Sequence, residues 1–230
     1  MEIIPLHWDS DFFGLRIAKA VVASDEDVVS LSRQEGDLRK QYDLIYIFSD
    51  LVNEMPFPKA RLVDKKAVFS LIAPGHLGVN PAIKRWDSPI TSASLVSLAL
   101  VSGKYSRFKL DKNLPAGSYE RLYTRWMEQS VNGAMATDVF CYMLDGAPRG
   151  VVTLDFRDGQ GVIGLVAVAE EYQHRGIGKA LIRHAISYVH DQQGERLSVA
   201  TQMDNESACR LYSGCGFSLD SITKIYHWWL

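Results

Sequence analysis

The stretch Gly164–Ile182, GLVAVAEEYQHRGIGKALI, passes from an apolar run through a polar turn into an amphipathic pattern. Val162–Ala169 has the length of a buried strand. From Gly176 to His190 the apolar residues Ile177, Leu181, Ala185 and Tyr188 fall on one helical stripe, widened by Ile182 and Val189. Strand, glycine-bearing turn, then helix is a geometry that presents unpaired backbone N–H groups to an anion. Glycines at 176 and 178 leave room for a pyrophosphate, and Arg175 and Lys179 add positive charge beside it. The same two glycines equally suit a tight packing turn, and this stretch alone leaves both readings open. It lacks the G-x-x-x-x-G-K-[ST] pattern of a nucleotide P-loop and the third glycine and distal acid of a dinucleotide fold.

Further on, Asn205–Phe217 reads NESACRLYSGCGF. Asn205 suits a helix cap, Ala208, Leu211 and Tyr212 share helical spacing, and glycines end the segment. Together the two segments resemble the Gcn5-related N-acetyltransferase (GNAT) superfamily. Its first motif, Q/R-x-x-G-x-G/A after a bulged strand, is matched by Gln173, Gly176 and Gly178. Its second, N-x-x-A-x-x-L-Y-x-x-x-G-F, is matched by Asn205, Ala208, Leu211, Tyr212, Gly216 and Phe217.

The resemblance implies a GNAT fold over about residues 90–230: a mixed sheet with a bulged, splayed strand pair and flanking helices. It implies acetyl-CoA as acyl donor, with no metal. The pyrophosphate would meet the amides of Gln173, His174, Arg175, Gly176, Ile177, Gly178 and Lys179. The pantetheine arm would pair with the backbone of Val166 and Val168 and meet Asn205, and Tyr212 would protonate the leaving thiolate. A phenol with a reference pKa of about 10 is protonated at neutral pH and can serve a thiolate whose acid has a pKa of about 8.5. Tyr212 also suits a plain core aromatic, and Asn205 a plain cap. Cys209 and Cys215 are candidate nucleophiles, but neither has a base nearby in sequence, so direct transfer is favoured over a cysteinyl intermediate. Asp155, Asp158, Glu170, Glu171 and His174 lie near the strand, and none is singled out as a base.

Outward from this region, composition is that of an ordinary folded protein: 230 residues, 47% hydrophobic, 23% charged, formal net charge −2. The basic residues form no stripe suited to nucleic acid. No apolar run approaches the ~20 residues of a membrane span. No signal peptide is visible, and three cysteines without paired spacing suggest neither a disulfide framework nor a metal site. A cytoplasmic protein is expected, with no membrane or nucleic-acid partner; dimers being common in the superfamily, a homodimer is a further expectation.

The pattern before residue 90 predicts a smaller N-terminal α/β domain (1–90) preceding the acetyltransferase domain (91–230). Ile3–Trp8 and Leu15–Val22 read as strands flanking a turn, Asp25–Lys40 as one helix, and Tyr42–Phe48 and Arg61–Ala73 as strands. Pro74–Pro89 reads as a linker. Ser92–Ser102 and Ser118–Val131 read as helices; Asp138–Leu144, Arg149–Phe156, Arg196–Thr201 and Phe217–Trp229 read as strands. Tyr42, Tyr46 and Trp126 read as packing residues. The whole is α/β (α+β).

The opening Pro5–Gly14, PLHWDSDFFG, and the aromatic end Ile225–Trp229 resemble one GNAT subgroup, the dTDP-4-amino-4,6-dideoxygalactose (dTDP-fucosamine) N-acetyltransferases. That resemblance implies acetylation of a nucleotide-activated amino sugar, with Asp11, Phe12 and Phe13 near the acceptor. The same residues also suit a hairpin anchor. Another small-molecule or protein amine as acceptor, or a domain that binds acyl-CoA without turnover, are the competing readings.

Overall fold

The computed structural model describes residues 1–51, 55–72 and 74–230. In chain order the strands are β1 (Ile3–Pro5), β2 (Ile17–Val22), β3 (Leu44–Ser49), β4 (Ala60–Ile72), β5 (Ile83–Arg85), β6 (Asp138–Leu144), β7 (Ala147–Arg157), β8 (Gln160–Val168), β9 (Arg196–Gln202) and β10 (Ser218–Trp229). The helices are α1 (His7–Phe13), α2 (Asp25–Arg33), α3 (Glu35–Gln41), α4 (Ala93–Ser102), α5 (Arg107–Leu110), α6 (Ser118–Val131), α7 (Ile177–Asp191) and α8 (Glu206–Gly214). The strands join in one mixed sheet ordered β1-β2-β3-β10-β4-β9-β8-β7-β6-β5. Among the described residues only β2–β3 and β8–β9 run parallel.

Alternation along the strands assigns the two faces. Odd positions of β4, Ala67 and Phe69, join α7 and α8 in one core cluster; Tyr46 of β3 joins α1, α4 and α6 on the other side. Helices α2 and α3 cover the first of these faces at the β3 end, over Ile45, Ile47 and Trp228. Leu31, Leu154 and Leu181 are fully buried, each contributing about 1.5–3 kcal/mol by leaving water.

Three expectations are corrected. The turn expected at Asp9–Gly14 is the body of α1, ended by Gly14 in the left-handed region. Ser10 explains this: its hydroxyl donates to Leu6 O at 2.7 Å and accepts from Ile17 N at 2.9 Å, tying the helix to β2. The single helix over Asp25–Lys40 is two, broken at Gln34, where Glu35-Gly36-Asp37 starts a new turn with acids at its N-terminus. The first half keeps its cap: Ser24 and Asp27 form a reciprocal capping box. Inside the expected linker, Ile83–Arg85 pairs with β6 as an edge strand too short to show alternation. The short helix α5 has no counterpart in the sequence reading. Ala73, the end of one expected strand, lies outside the described residues.

The sheet continues across residue 90. Strand β4 lies between β10 and β9, paired to both over most of its length. Residues 91–230 alone would expose two sheet edges that β4 now joins. Such a fragment is expected to aggregate or to lack a cooperative melt. A soluble fragment with a sharp thermal transition would establish that the two blocks fold independently.

Candidate active site

The strand before the glycine turn breaks its own pairing. Along β7 and β8, Leu154 faces Ile163 and Val152 faces Val166, so Gly164 and Leu165 together oppose Thr153. This is a β-bulge. The displaced N–H of Leu165 donates to Thr153 Oγ1 at 2.8 Å, which satisfies it inside the core. A Cβ on Gly164 would lie 2.9 Å from that same oxygen, so a side chain there would crowd the bond.

Beyond the bulge, β8 and β9 separate. They pair only over Gln160–Ile163 and Arg196–Val199; β9 then stays with β4, and β8 with β7. Ala169 N donates to Arg149 O, which fixes the phase of the antiparallel ladder. By its alternation, the backbone groups of Val166 and Val168 point towards the gap that β9 has left. The Val168 carbonyl there accepts from Gln173 Nε2 at 3.0 Å. Gln173 therefore ties the turn to the strand end.

The turn itself has two residues in the left-handed region, His174 (φ 61°) and Gly176 (φ 80°). Gly176 caps α7 without any side-chain hydrogen bond, and Ala180 N is the first to bond back, to Gly176 O at 3.0 Å. The amides of Ile177, Gly178 and Lys179 thus precede the first intrahelical bond of α7, at the positive end of its dipole. The Ile177 side chain is buried in the core, so only its backbone faces the turn. Arg175 donates to Glu171 O at 2.9 Å and lies 5.1 Å over the Tyr172 ring; Lys179 is exposed on the first turn of α7.

On the same face, α8 carries Tyr212, 2% exposed between the rings of Phe69 and Phe217. Burial pushes its phenol well above the ordinary range, so it stays protonated. Asn205 caps α8, its Oδ1 accepting from Ala208 N at 3.2 Å. Burial also raises the thiols of Cys209 and Cys215, an environment unsuited to a thiolate nucleophile. Asp155 accepts from Thr137 and pairs with Arg157 at the closed end of the strand pair, and Asp158 turns the β7–β8 hairpin there. Glu170 and Glu171 sit in a single 3-10 turn.

The three N-terminal candidates fan apart on α1. Phe13 is buried and stacks on Phe108 at 5.6 Å; Phe12 packs against α6 with Arg121 5.3 Å over its ring; Asp11 faces solvent. Asp9 instead faces Arg107, and burial raises its carboxyl. No group of three or more His, Cys, Asp and Glu suited to a metal occurs among the described residues. No helix among them is long and apolar enough to cross a membrane.

Sequence reasoning passed over a polar chamber on the opposite face of the sheet. Arg107 on α5 lies 5.2 Å over Tyr46 and 4.4 Å over Phe108. Tyr46 stacks on His227 at 4.7 Å; His227 Nδ1 meets Asp111 Oδ2 at 2.5 Å, which also accepts from Trp229 Nε1 at 3.0 Å. Arg107 Nε, Tyr46 OH, His227 Nε2 and Asp64 Oδ1 are buried without hydrogen-bond partners. These residues come from three distant stretches of the chain, around 46–64, 107–111 and 227–229, and only the last falls in a stretch singled out in the sequence, the aromatic end.

Residues 107–217 match the family model of the acetyltransferase (GNAT) family. The bulge and the splayed pair β8–β9 lie within the matched residues. Among relatives, it is 26% identical to the dTDP-fucosamine acetyltransferase of Escherichia coli O6:H1, over 96% of this chain and 95% of that one. It is 25% identical to the spore coat polysaccharide biosynthesis protein SpsD of Bacillus subtilis, over 61% of this chain but only 48% of that relative's length. A GCN5-related N-acetyltransferase from Sphaerobacter thermophilus shares the fold with a TM-score of 0.59, at 13% identity over 98% of this chain and 75% of that one.

The two glycines of the turn separate experimentally. Gly178→Ala places a Cβ 3.4 Å from Leu211 Cδ2, an ordinary contact, and is expected to leave thermal stability near that of the parent. Gly176→Ala meets no atom but takes a left-handed backbone, at a cost of about 1–2 kcal/mol in chemical denaturation. Equal stabilities for the two variants would refute this division of roles.

Proposed function

We propose that the protein transfers an acetyl group from acetyl-CoA directly to the amino group of a nucleotide-activated amino sugar, such as dTDP-4-amino-4,6-dideoxygalactose. The observation that carries this reading is the full-length similarity to a dTDP-fucosamine acetyltransferase, on a chain whose strand gap, uncapped turn and buried phenol fall together.

The chemistry follows from these parts. The amides of Gln173–Lys179 take the pyrophosphate of the coenzyme, with Arg175 and Lys179 beside them and His174 and Gly176 shaping the cradle. Backbone groups of Val166 and Val168 in the gap pair with the pantetheine arm, and Asn205 borders it while capping α8. A backbone N–H aimed at the thioester carbonyl stabilises the developing oxyanion, an effect worth about 3 kcal/mol per donor. Tyr212, kept protonated by burial, gives its proton to the departing thiolate. The acceptor comes from the N-terminal side, the side of Asp11, Phe12 and Phe13, although the three point apart on α1.

Tyr212→Phe is expected to lower kcat by about 100-fold or more while leaving acetyl-CoA affinity unchanged. Isothermal titration measures the affinity, and thiol release with dTDP-4-amino-4,6-dideoxygalactose measures turnover. Binding of acetyl-CoA with no turnover on that sugar or on a panel of polyamines, aminoglycosides and peptide N-termini would reject the enzymatic reading. Turnover on another amine alone would move the acceptor and keep the reaction.

A further inference from the structure

We propose that Asp64 is the group that takes the proton from the acceptor's amine, working from the face of the sheet opposite to Tyr212. The proposal rests on the acetyl-transfer reading above and adds to it the base which that reading lacks.

Position in the sheet comes first. Asp64 lies on β4 two residues from Lys66, which is paired with Gln202, the last residue of β9. Directly after Gln202 the turn towards α8 is pinned to β4, Met203 N donating to Lys65 O at 2.9 Å. Asp64 is therefore level with the wide end of the gap, beside the turn that leads to Asn205 and Tyr212. Its face is fixed by register: Asp64 opposes Ile225, and two residues on, His227 opposes Tyr46 on the same side. A bulge in β4 follows at once, since Ile225 faces Asp64 while Tyr226 faces Leu62. Such a bulge re-aims a side chain locally.

Its chemical state comes second. Asp64 is 7% exposed, and its Oδ1 has no hydrogen-bond partner. A carboxylate oxygen hidden in this way loses its hydration without compensation, a cost that structural positions avoid and binding sites retain. The groups facing it are Arg107 from α5, Tyr123 from α6, Lys66 on its own strand, Asp204 from the turn and Gln202 from β9, which hydrogen-bonds the carboxyl and leaves Oδ1 as the unpartnered oxygen. Burial outweighs Arg107, the Gln202 hydrogen bond and Lys66, and raises its carboxyl to about 6. Above that pH it is an ionised, poorly solvated oxygen, suited to an ammonium ion and then to a proton. His227 also has an unpartnered nitrogen, but it is fully enclosed one strand further from the gap.

The step balances without any other reactant. The amine nitrogen forms its bond to the acetyl carbon as the carbon–sulfur bond breaks. Nitrogen's proton passes to Asp64, and the thiolate takes the phenolic proton of Tyr212. Solvent exchange then returns Asp64 to carboxylate and Tyr212 to phenol.

The test is the pH dependence of kcat/KM for Asp64→Asn and Asp64→Glu, with acetyl-CoA and dTDP-4-amino-4,6-dideoxygalactose. Thermal melts and acetyl-CoA titration verify that each variant is folded and binds donor. Parent activity is expected to rise through about pH 6. Asp64→Asn is expected to lose about 100-fold at pH 7, to lack that rise, and to recover at alkaline pH, where the amine is already neutral. Asp64→Glu is expected to restore part of the activity together with the rise. An Asp64→Asn profile parallel to the parent's overturns the base role alone. Parent protein that binds acetyl-CoA and acetylates no amine removes the acetyl-transfer reading, and the base role with it. A variant that does not fold leaves Asp64→Glu and the parent's own limb near pH 6 to decide.

Discussion

The hydrogen bond from the Leu165 amide to Thr153 Oγ1 is the constraint on which the site depends. A strand can leave its neighbour only if the backbone groups it abandons find other partners. Thr153 supplies one for the bulge, and Gln173 supplies another for the carbonyl of Val168 at the strand end. Between these two bonds β8 is held away from β9 while both remain in the sheet through their other edges. The gap is thus bounded on both sides by paired strands, and a gap fixed in this way lowers the ordering cost of binding in it.

The gap also divides the chemistry between two faces. Tyr212 and the glycine turn belong to the face covered by α7 and α8, in an apolar cluster with Phe69, Phe217 and Leu181. Asp64, Arg107, Tyr46 and His227 belong to the other, under α1, α5 and α6. A buried phenol among apolar neighbours stays neutral, whereas a buried carboxylate beside two cations ionises near neutrality. The sign of the linkage follows for Asp64, whose folded pKa of about 6 lies above the ordinary 3.8. Between those values the folded chain holds a proton that the unfolded chain has released. This group therefore favours the fold at low pH, and that contribution is lost as pH rises through about 6. Placing an ionised carboxylate there costs stability at neutral pH, as functional sites commonly do.

Legibility in the sequence followed the range of the interactions. Helices α6 and α8 match their expected spans residue for residue, because periodicity and end signals are local. Helix α7 and strands β6 to β10 fall within two residues of expectation for the same reason. Helix α1 was misread because its stop residue and acids also suit a turn, and Ser10 decides the matter through a contact with Ile17 across the chain. The insertion of β4 between β10 and β9 left no local trace at all. In the site, the glycine turn was readable because it acts through consecutive backbone amides. The polar chamber was not, since residues 46, 64, 107, 111 and 227 meet only through the sheet. Asp64 left a weak sign, the lone acid of its strand.

The place of β4 also sets an order of assembly. The ribosome delivers β4 early, yet its two neighbours in the sheet are β9 and β10, at residues 196–202 and 218–229. Until these emerge, both edges of a thirteen-residue strand lack their final partners. Pairings this distant in sequence slow folding, since long loops must close before contacts repay them. The nascent chain therefore carries a sheet edge open to other chains until β9 and β10 have been made. The polar and charged residues that stud β4, Arg61, Asp64, Lys65 and Lys66, serve it during that interval as guards against mispairing.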